Sequence, residues 1–450
     1  MLSAAGWLSP EGPFPGPSPE GPFPGPAGRA RVAEMMLLSA ALQAVLALFL
    51  GHAYDMPIFA ATGYLAGSGQ NPYVARDLSG VFHSAGFAGL TSIGYPPAWP
   101  LLLGALYRLS YALLPDLMLY RLAIKLPVIA ANIALALTAL RLCVSNGAGR
   151  RQARDAFLFI LFNPFLLYAT AAWGQFDTAV SLFCLLALAL LSGGRLFWSA
   201  IILALGISLK PIALPLLPLC VLFAGKGSAR RAAGYAALAG AALALFCVAP
   251  FPLLGWSPQV ILRGWNAHVS VAGGLTWLTF LELATGGYAL PPALRFLGFL
   301  WLPALAAGVV LIRPAGRAFL DLLAWSLRLC LLFFLTRSWL SEPNVALVLP
   351  MAAVLAATGR LEGTSFHLLW ICPLVFTLFN ASLPQVLAPA WPGAMQVMSA
   401  IDERARTARL VLRCVSVIPW LAVGWSIVLA PRAQATMRKE HNESKAPASF

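Results

Sequence analysis

Residues 156 to 193 read AFLFILFNPFLLYATAAWGQFDTAVSLFCLLALALLSG, two apolar runs joined by Trp173-Gly174-Gln175-Phe176-Asp177. Each run approaches the roughly 20 apolar residues a helix needs to cross a bilayer. An acid placed where the hydrocarbon ends is costly unless something uses it, so this junction points to a reaction or a binding event at the membrane face. Runs of the same kind recur from Met35 to Ala430, and the chain is 60% hydrophobic and 10% charged. With a mean hydropathy of +0.80, it lacks the polar surface that a soluble protein of this length requires. The expected fold class is an all-α polytopic membrane protein.

The formal charge of +14 is spread between apolar segments rather than gathered on one soluble face. Nucleic-acid binding is therefore a poor reading, and the cations read as topology signals and partners of lipid headgroups. The seven cysteines lie in or beside apolar runs without CxxC or Cys/His ligand spacing. They read as small core residues.

The two ends differ from the middle. SPEGPFPGP at residues 9–17 repeats unchanged at 18–26, so residues 1–33 are expected to form a disordered Pro/Gly arm on the cytoplasmic side. Residues 432–450 are expected to be a basic cytoplasmic tail. Between them, residues 34–225 read as one transmembrane module and 226–431 as a second.

Charge sets the direction of each span. The run 34–53 goes outward as an uncleaved first span, and Arg150-Arg151-Arg154 belongs inside. One crossing, or an odd number, must then lie between Tyr54 and Gly149, and 119–142 fits better than 96–114. The latter, with Pro96-Pro97, Trp99 and Arg108, suits an amphipathic or re-entrant helix within an outer loop 54–118. Residues 156–172 then rise to the outer face and 178–193 return to Arg195. The segment 196–224 breaks at Lys210-Pro211 into two short halves, a hairpin with Lys210 at its outer apex. Later spans are expected near 232–250, 294–312, 318–336, 344–358, 365–381 and 409–430, for about 12 crossings in all. An outer loop would hold Trp256, Arg263, Trp265, Asn266 and His268, and another would run over 382–408.

This topology collects Asp55, Asp77, Tyr95, Arg121, Asp177, Lys210, Arg263, Arg337 and Glu342 on the outer side. Mixed acids and bases on one face suit transfer from an anionic, lipid-held substrate. Cations hold a phosphate leaving group, and a carboxylate takes the proton of the attacking hydroxyl.

The chain also resembles a family. Asn163-Pro164, Trp173 to Asp177, and Leu209-Lys210-Pro211 ahead of Leu216-Leu217-Pro218 are similar in order to prokaryotic relatives of the GPI second mannosyltransferase, membrane enzymes of the GT-C class. Tyr54-Asp55, Asn71-Pro72-Tyr73, Tyr95-Pro96-Pro97 and Lys125-Leu126-Pro127 to Asn132 extend the likeness. A more distant one runs to dolichyl-phosphate-glucose transferases. The resemblance is strongest over residues 35–225. It departs at Asn132, where the pattern often has an acid, and at Glu342-Pro343-Asn344, where an amide replaces a titrating group.

The resemblance implies a GT-C bundle, a polyprenyl-phosphate sugar donor with mannose as the expected hexose, and a glycolipid or glycan acceptor. It gives Asp55 the role of general base in an inverting transfer. Lys210, Arg121 and, a turn deeper, Lys125 are candidates for the donor phosphate. Trp173, Gln175, Asp177, Tyr95 and Glu342 are candidates for the sugar or acceptor. No metal ion or other cofactor is obligatory, although Asp177 could support a divalent metal. The compartment implied is the plasma membrane in a prokaryote or the endoplasmic reticulum in a eukaryote, with the site on the non-cytoplasmic side.

Each assignment has a plainer rival. Asp55 and Asp177 also read as helix caps, Arg121 and Lys210 as snorkelling anchors, and the tryptophans as an aromatic belt. His52, His83 and His268 stand isolated and receive no ligand role. From another class altogether, a secondary transporter or lipid-linked-sugar flippase would also break a helix at Lys210-Pro211 and bury charges.

Overall fold

The computed structural model describes residues 25–259, 269–311, 318–380 and 382–430, and in it helices run back and forth between two ends of one bundle. The stretch 260–268, with Arg263, Trp265, Asn266 and His268, lies outside the described residues, as do most of the Pro/Gly arm and the basic tail. Among the described residues, seven helical stretches are long and apolar enough to cross a bilayer: Gly28–Phe49, Leu117–Ser145, Arg150–Trp173, Ala229–Leu254, Pro292–Leu311, Phe319–Thr336 and Ala394–Leu429. Five shorter apolar helices lie among them. The protein is an all-helical polytopic membrane protein.

The first helix, α1 (Gly25–Phe49), carries the chain to one end of the bundle. It begins inside the stretch expected to be an arm, because Pro26 sits in the first turn, where its missing N–H costs nothing. Helix α2 (Asp55–Gly67) follows and is buried on nearly every side. Helix α3 (Ala98–Leu109) packs along it, with Gly67 and Gly104 at the crossing: a Cβ at Gly67 would meet the Gly104 carbonyl at 2.9 Å. At 12 residues α3 is about 18 Å long, too short to cross. Helix α4 (Leu117–Ser145) is the return span, capped by Asp116 accepting from Leu119 N–H at 2.8 Å.

Helix α5 (Arg150–Phe162) stops at Asn163-Pro164, where the Asn163 side chain caps a fresh turn by accepting from Leu166 N–H at 3.1 Å. The chain then widens into a π-helical turn over Tyr168–Trp173 before Gly174 ends it in the left-handed region, φ 95°. Helix α6 (Asp177–Ser192) leads away again.

The expected hairpin is present as α7 (Leu196–Leu209) and α8 (Leu216–Gly225), broken where Pro211 cannot continue a helix. Both limbs abut the start of α9 (Ala229–Leu243). Ser199 Oγ lies 3.0 Å from the Tyr235 hydroxyl, and Gly225 lies against Ala232. Arg195 and Lys226 therefore share one end of the bundle and Lys210 occupies the other.

The C-terminal half adds α10 (Thr279–Thr285), α11 (Trp301–Leu311), α12 (Phe319–Thr336), α13 (Leu349–Ala357), α14 (Gly363–Phe379) and α15 (Ala394–Leu429). A two-residue parallel pairing joins β1 (Gly273–Gly274) to β2 (Trp339–Leu340). Helix α15 starts at Ala394, within the region expected to be loop, and kinks at Ala405. Asp402 and Arg409 pair along it at 2.6 Å, so the charges that suggested a loop are accommodated on a helix longer than the bilayer is thick. A bidentate pair of Arg413 and Glu282, at 2.8 and 2.9 Å and fully buried, fastens α15 to α10. All seven cysteines are unpaired.

Candidate active site

At the end of the bundle opposite Arg150, Arg195 and Lys226, α1, the π-helical turn, α2 and the α7–α8 hairpin converge. Asp55 stands in the first turn of α2, where the helix dipole favours an anion. Its Oδ2 accepts from Trp173 Nε1 at 2.6 Å and from Gln175 Nε2 at 2.7 Å. Among the described residues Oδ1 has no partner, and the side chain is 21% exposed. The carboxylate is thus fixed through one oxygen and presents the other.

Behind it the polar line continues inward. Gln175 Oε1 accepts from Lys210 Nζ at 3.3 Å, and Lys210 places the same ammonium 2.9 and 2.8 Å from the two Asp177 oxygens. Asp177 is 1% exposed. Lys210 also lies 5.5 Å from the Tyr95 ring centre and 5.4 Å from that of Phe176. Tyr95 stands edge-on to Phe176 at 5.0 Å, with its hydroxyl beside the Gln175 side chain. Burial, with the Asp55 and Asp177 carboxylates adding to it, holds that hydroxyl well above the usual phenol range, so it remains protonated. The Tyr95-Pro96 turn is pinned from behind, Tyr73 Oη donating to the Tyr95 carbonyl at 2.9 Å.

Gly174 makes this arrangement possible. At φ 95° it reverses the chain so that Gln175 N–H reaches back to the Ala169 carbonyl at 3.0 Å while its amide goes forward to Asp55. A Cβ there would lie 2.5 Å from Met56 Sδ and 2.9 Å from Lys125 Cε.

The structure brings Asp55, Trp173, Gln175, Asp177, Lys210 and Tyr95 into one connected cluster. The other expected residues have separate surroundings. Lys125 is fully buried, and its ammonium donates to the carbonyls of Ala47, Leu50, Ala171 and Ala172 at 3.3, 2.5, 2.9 and 3.1 Å. It thereby caps two helical segments at once and holds Trp173 in register with α1. Arg121, one turn nearer the end, has a buried Nε without a hydrogen-bond partner. Glu342 is buried and accepts a short hydrogen bond from Asn380 Nδ2. Asn132 bonds to Gln43 Oε1 at 3.3 Å and the Ile160 carbonyl at 3.4 Å, a tie between helices.

The sequence places Arg337 on the outer side without a specific role, and gives no pairing for Arg413 and Glu282. Arg337, at the same end, stands over the Phe333 ring at 5.1 Å, and burial lowers its pKa to about 10, so it stays charged at neutral pH. Arg413 and Glu282 form the buried pair described above. An arginine within an expected span was the available signal, but its acid lies 131 positions away. Among the described residues, no group of three or more His, Cys, Asp or Glu is placed to hold a metal ion.

No family profile matches the chain, and no curated protein matches it. Among solved structures, the chain is similar to ArnT from Cupriavidus metallidurans in the apo state, at 15% identity and a TM-score of 0.49, covering 94% of this chain and 81% of that one. A likeness at that level assigns neither family nor activity.

Proposed function

We propose that the chain is an inverting glycosyltransferase of the GT-C type, moving a hexose, with mannose as the leading candidate, from a polyprenyl-phosphate donor to a hydroxyl of a glycolipid or glycan. The observation that carries this reading is the Asp55 carboxylate: held through Oδ2 by two N–H donors, with no hydrogen-bond partner on Oδ1 among the described residues and the side chain 21% exposed. Asp55 Oδ1 takes the acceptor proton as that oxygen forms its bond to the anomeric carbon. The bond from that carbon to the phosphate oxygen breaks, and polyprenyl phosphate leaves with the electron pair. Burying a phosphate at headgroup level without a cation would cost several kcal/mol. Arg121 is the proposed phosphate ligand, because Lys125 is committed to four carbonyls and Lys210 to Asp177. Tyr95 and Gln175 are the proposed sugar contacts, with Asp177 acting through Lys210 and Glu342 at the margin. The reaction as written requires no metal ion.

The turns carrying Arg150, Arg151, Arg154, Arg195, Lys226, Arg230 and Arg231 lie at the far end. By the positive-inside tendency we read that end as cytoplasmic and Asp55 as facing the non-cytoplasmic side. The test is mass spectrometry of the products when purified protein is offered a panel of polyprenyl-phosphate sugars. Transfer without any nucleotide sugar is expected. A strict need for a nucleotide donor, or solute uptake into proteoliposomes with no glycosyl product, would overturn the proposal.

A further inference from the structure

His52 lies beside the cluster and is 6% exposed. Its ring stacks on the Trp173 indole at 4.2 Å and an interplanar angle of 4°. Its backbone N–H donates to the Trp173 carbonyl at 3.3 Å, and its own carbonyl accepts the first bond of α2, from Met56 N–H at 3.1 Å. Nδ1 accepts the backbone N–H of Asp55 at 3.2 Å and lies 3.4 Å from Asp55 Oδ2. With Nδ1 so engaged, Nε2 is the ring nitrogen left to meet the Gln385 side chain beside it.

The segment that supplies Gln385, helical over Ser382–Leu387, is itself tied to this place. Gly51 N–H donates to the Val386 carbonyl at 3.0 Å and Ala53 N–H to the Gln385 carbonyl at 2.9 Å. Val386 packs on Ala172 and Trp173. The C-terminal module thus reaches across to the entry of α2.

We propose that His52, as the neutral ring with its proton on Nε2, is a positioning residue for Asp55, locked in place by Gln385 of the C-terminal module. The ring fixes Asp55 from two directions: it holds the backbone N–H of the residue, and it fixes the plane of the indole whose N–H orients the carboxylate. A proton on Nδ1 would instead displace the bond from the Asp55 N–H and turn toward Oδ2 at 3.4 Å, adding a third donor to that oxygen and making the carboxylate a weaker base. Burial, opposed by the Asp55 charge and by the Gln385 bond, keeps the ring pKa below the ordinary histidine value and favours the neutral form.

The plainer role is a helix cap, and Asn serves that role as well as any residue. His52→Asn therefore separates the two. This inference rests on the proposed transfer reaction. On that basis His52→Asn is expected to fold and to lose about 10- to 100-fold in kcat with little change in KM. Gln385→Leu leaves both ring and cap in place and is expected to lower kcat several-fold, which keeps the test valid should His52→Asn fold poorly. Wild-type kcat in a folded His52→Asn, or in Gln385→Leu, would leave His52 as a cap alone and overturn the proposal. A second readout is independent of activity: nitrogen NMR of histidine-labelled protein, with the His52 signal assigned by its loss in His52→Asn. A neutral ring protonated on Nε2 at pH 7 is expected, and an Nδ1–H or doubly protonated ring would overturn the proposal. Should the wild-type protein transfer no sugar, the functional reading fails, and the ring state still decides the geometry of His52.

Discussion

Replacing Lys210 by Met tests the polar line where its energetics are most exposed. The substitution preserves side-chain length but leaves Asp177, 1% exposed, facing a methyl group where an ammonium stood 2.8 and 2.9 Å away. Removing one partner of a buried pair typically costs about 3–5 kcal/mol, because the remaining charge is neither solvated nor paired. Asp177 opens α6, and the helix N-terminus returns up to about 1 kcal/mol. The expected loss is then about 3–4 kcal/mol. Asp177→Leu should cost less, because Lys210 keeps Gln175 at 3.3 Å and the faces of Tyr95 and Phe176. The double variant removes both charges together and should be more stable than Lys210→Met alone, with a coupling energy of about 2 kcal/mol. Equilibrium unfolding in mixed micelles, read by circular dichroism, measures all four corners of the cycle. Additive single effects, leaving the double variant the least stable of the set, would refute the claim that the two side chains act as one buried unit.

Other outcomes follow from the same geometry. Gly174→Ala places a Cβ 2.5 Å from Met56 Sδ at φ 95°, and should cost about 1–3 kcal/mol, measured by the same unfolding assay, while also lowering transfer. Arg121→Gln removes a guanidinium whose Nε has no hydrogen-bond partner. It should leave folding intact and raise the KM for the polyprenyl-phosphate donor about tenfold or more, checked by steady-state kinetics. His52 has its pKa lowered in the folded protein, burial being the largest cause. Above the ordinary histidine value, about 6.5, both states are neutral; below it the unfolded chain binds the proton first. Stability should therefore fall as pH drops from about 6.5 toward 5, and the fall should be smaller in His52→Asn when thermal midpoints are compared.

Much of the bundle was legible in the sequence because hydrocarbon imposes its rules locally. Run length and the side carrying Arg and Lys were enough for α4, for the rise and return around Trp173–Asp177, and for the α7–α8 hairpin, where Pro211 dictates the break. The helix starts were less legible. Gly25 and Ala394 both begin helices in stretches rich in proline or charge, where composition favours a loop; Ala394 is buried at the start of its helix.

The cluster residues were legible as types but not as pairs. Lys210 and Asp177 are 33 positions apart and Asp55 and Gln175 are 120 apart, so only the fold reveals that the lysine neutralises the acid behind the proposed base. Lys125 shows the limit most clearly. A lysine near the edge of a span looks like an anion ligand, yet four carbonyls of two helix ends satisfy it, and carbonyl oxygens leave no trace in a sequence. His52 was passed over because one histidine between apolar runs gives no pattern; its stack on Trp173 is a product of the fold alone.

The central claim is that Asp55 takes the acceptor proton, and single-turnover transfer from a polyprenyl-phosphate sugar by folded Asp55→Asn measures it most directly. The amide preserves shape while removing the basic oxygen, so the rate should fall by about 10²–10⁴-fold against wild type, with donor binding retained. Transfer at the wild-type rate would contradict the account at its root.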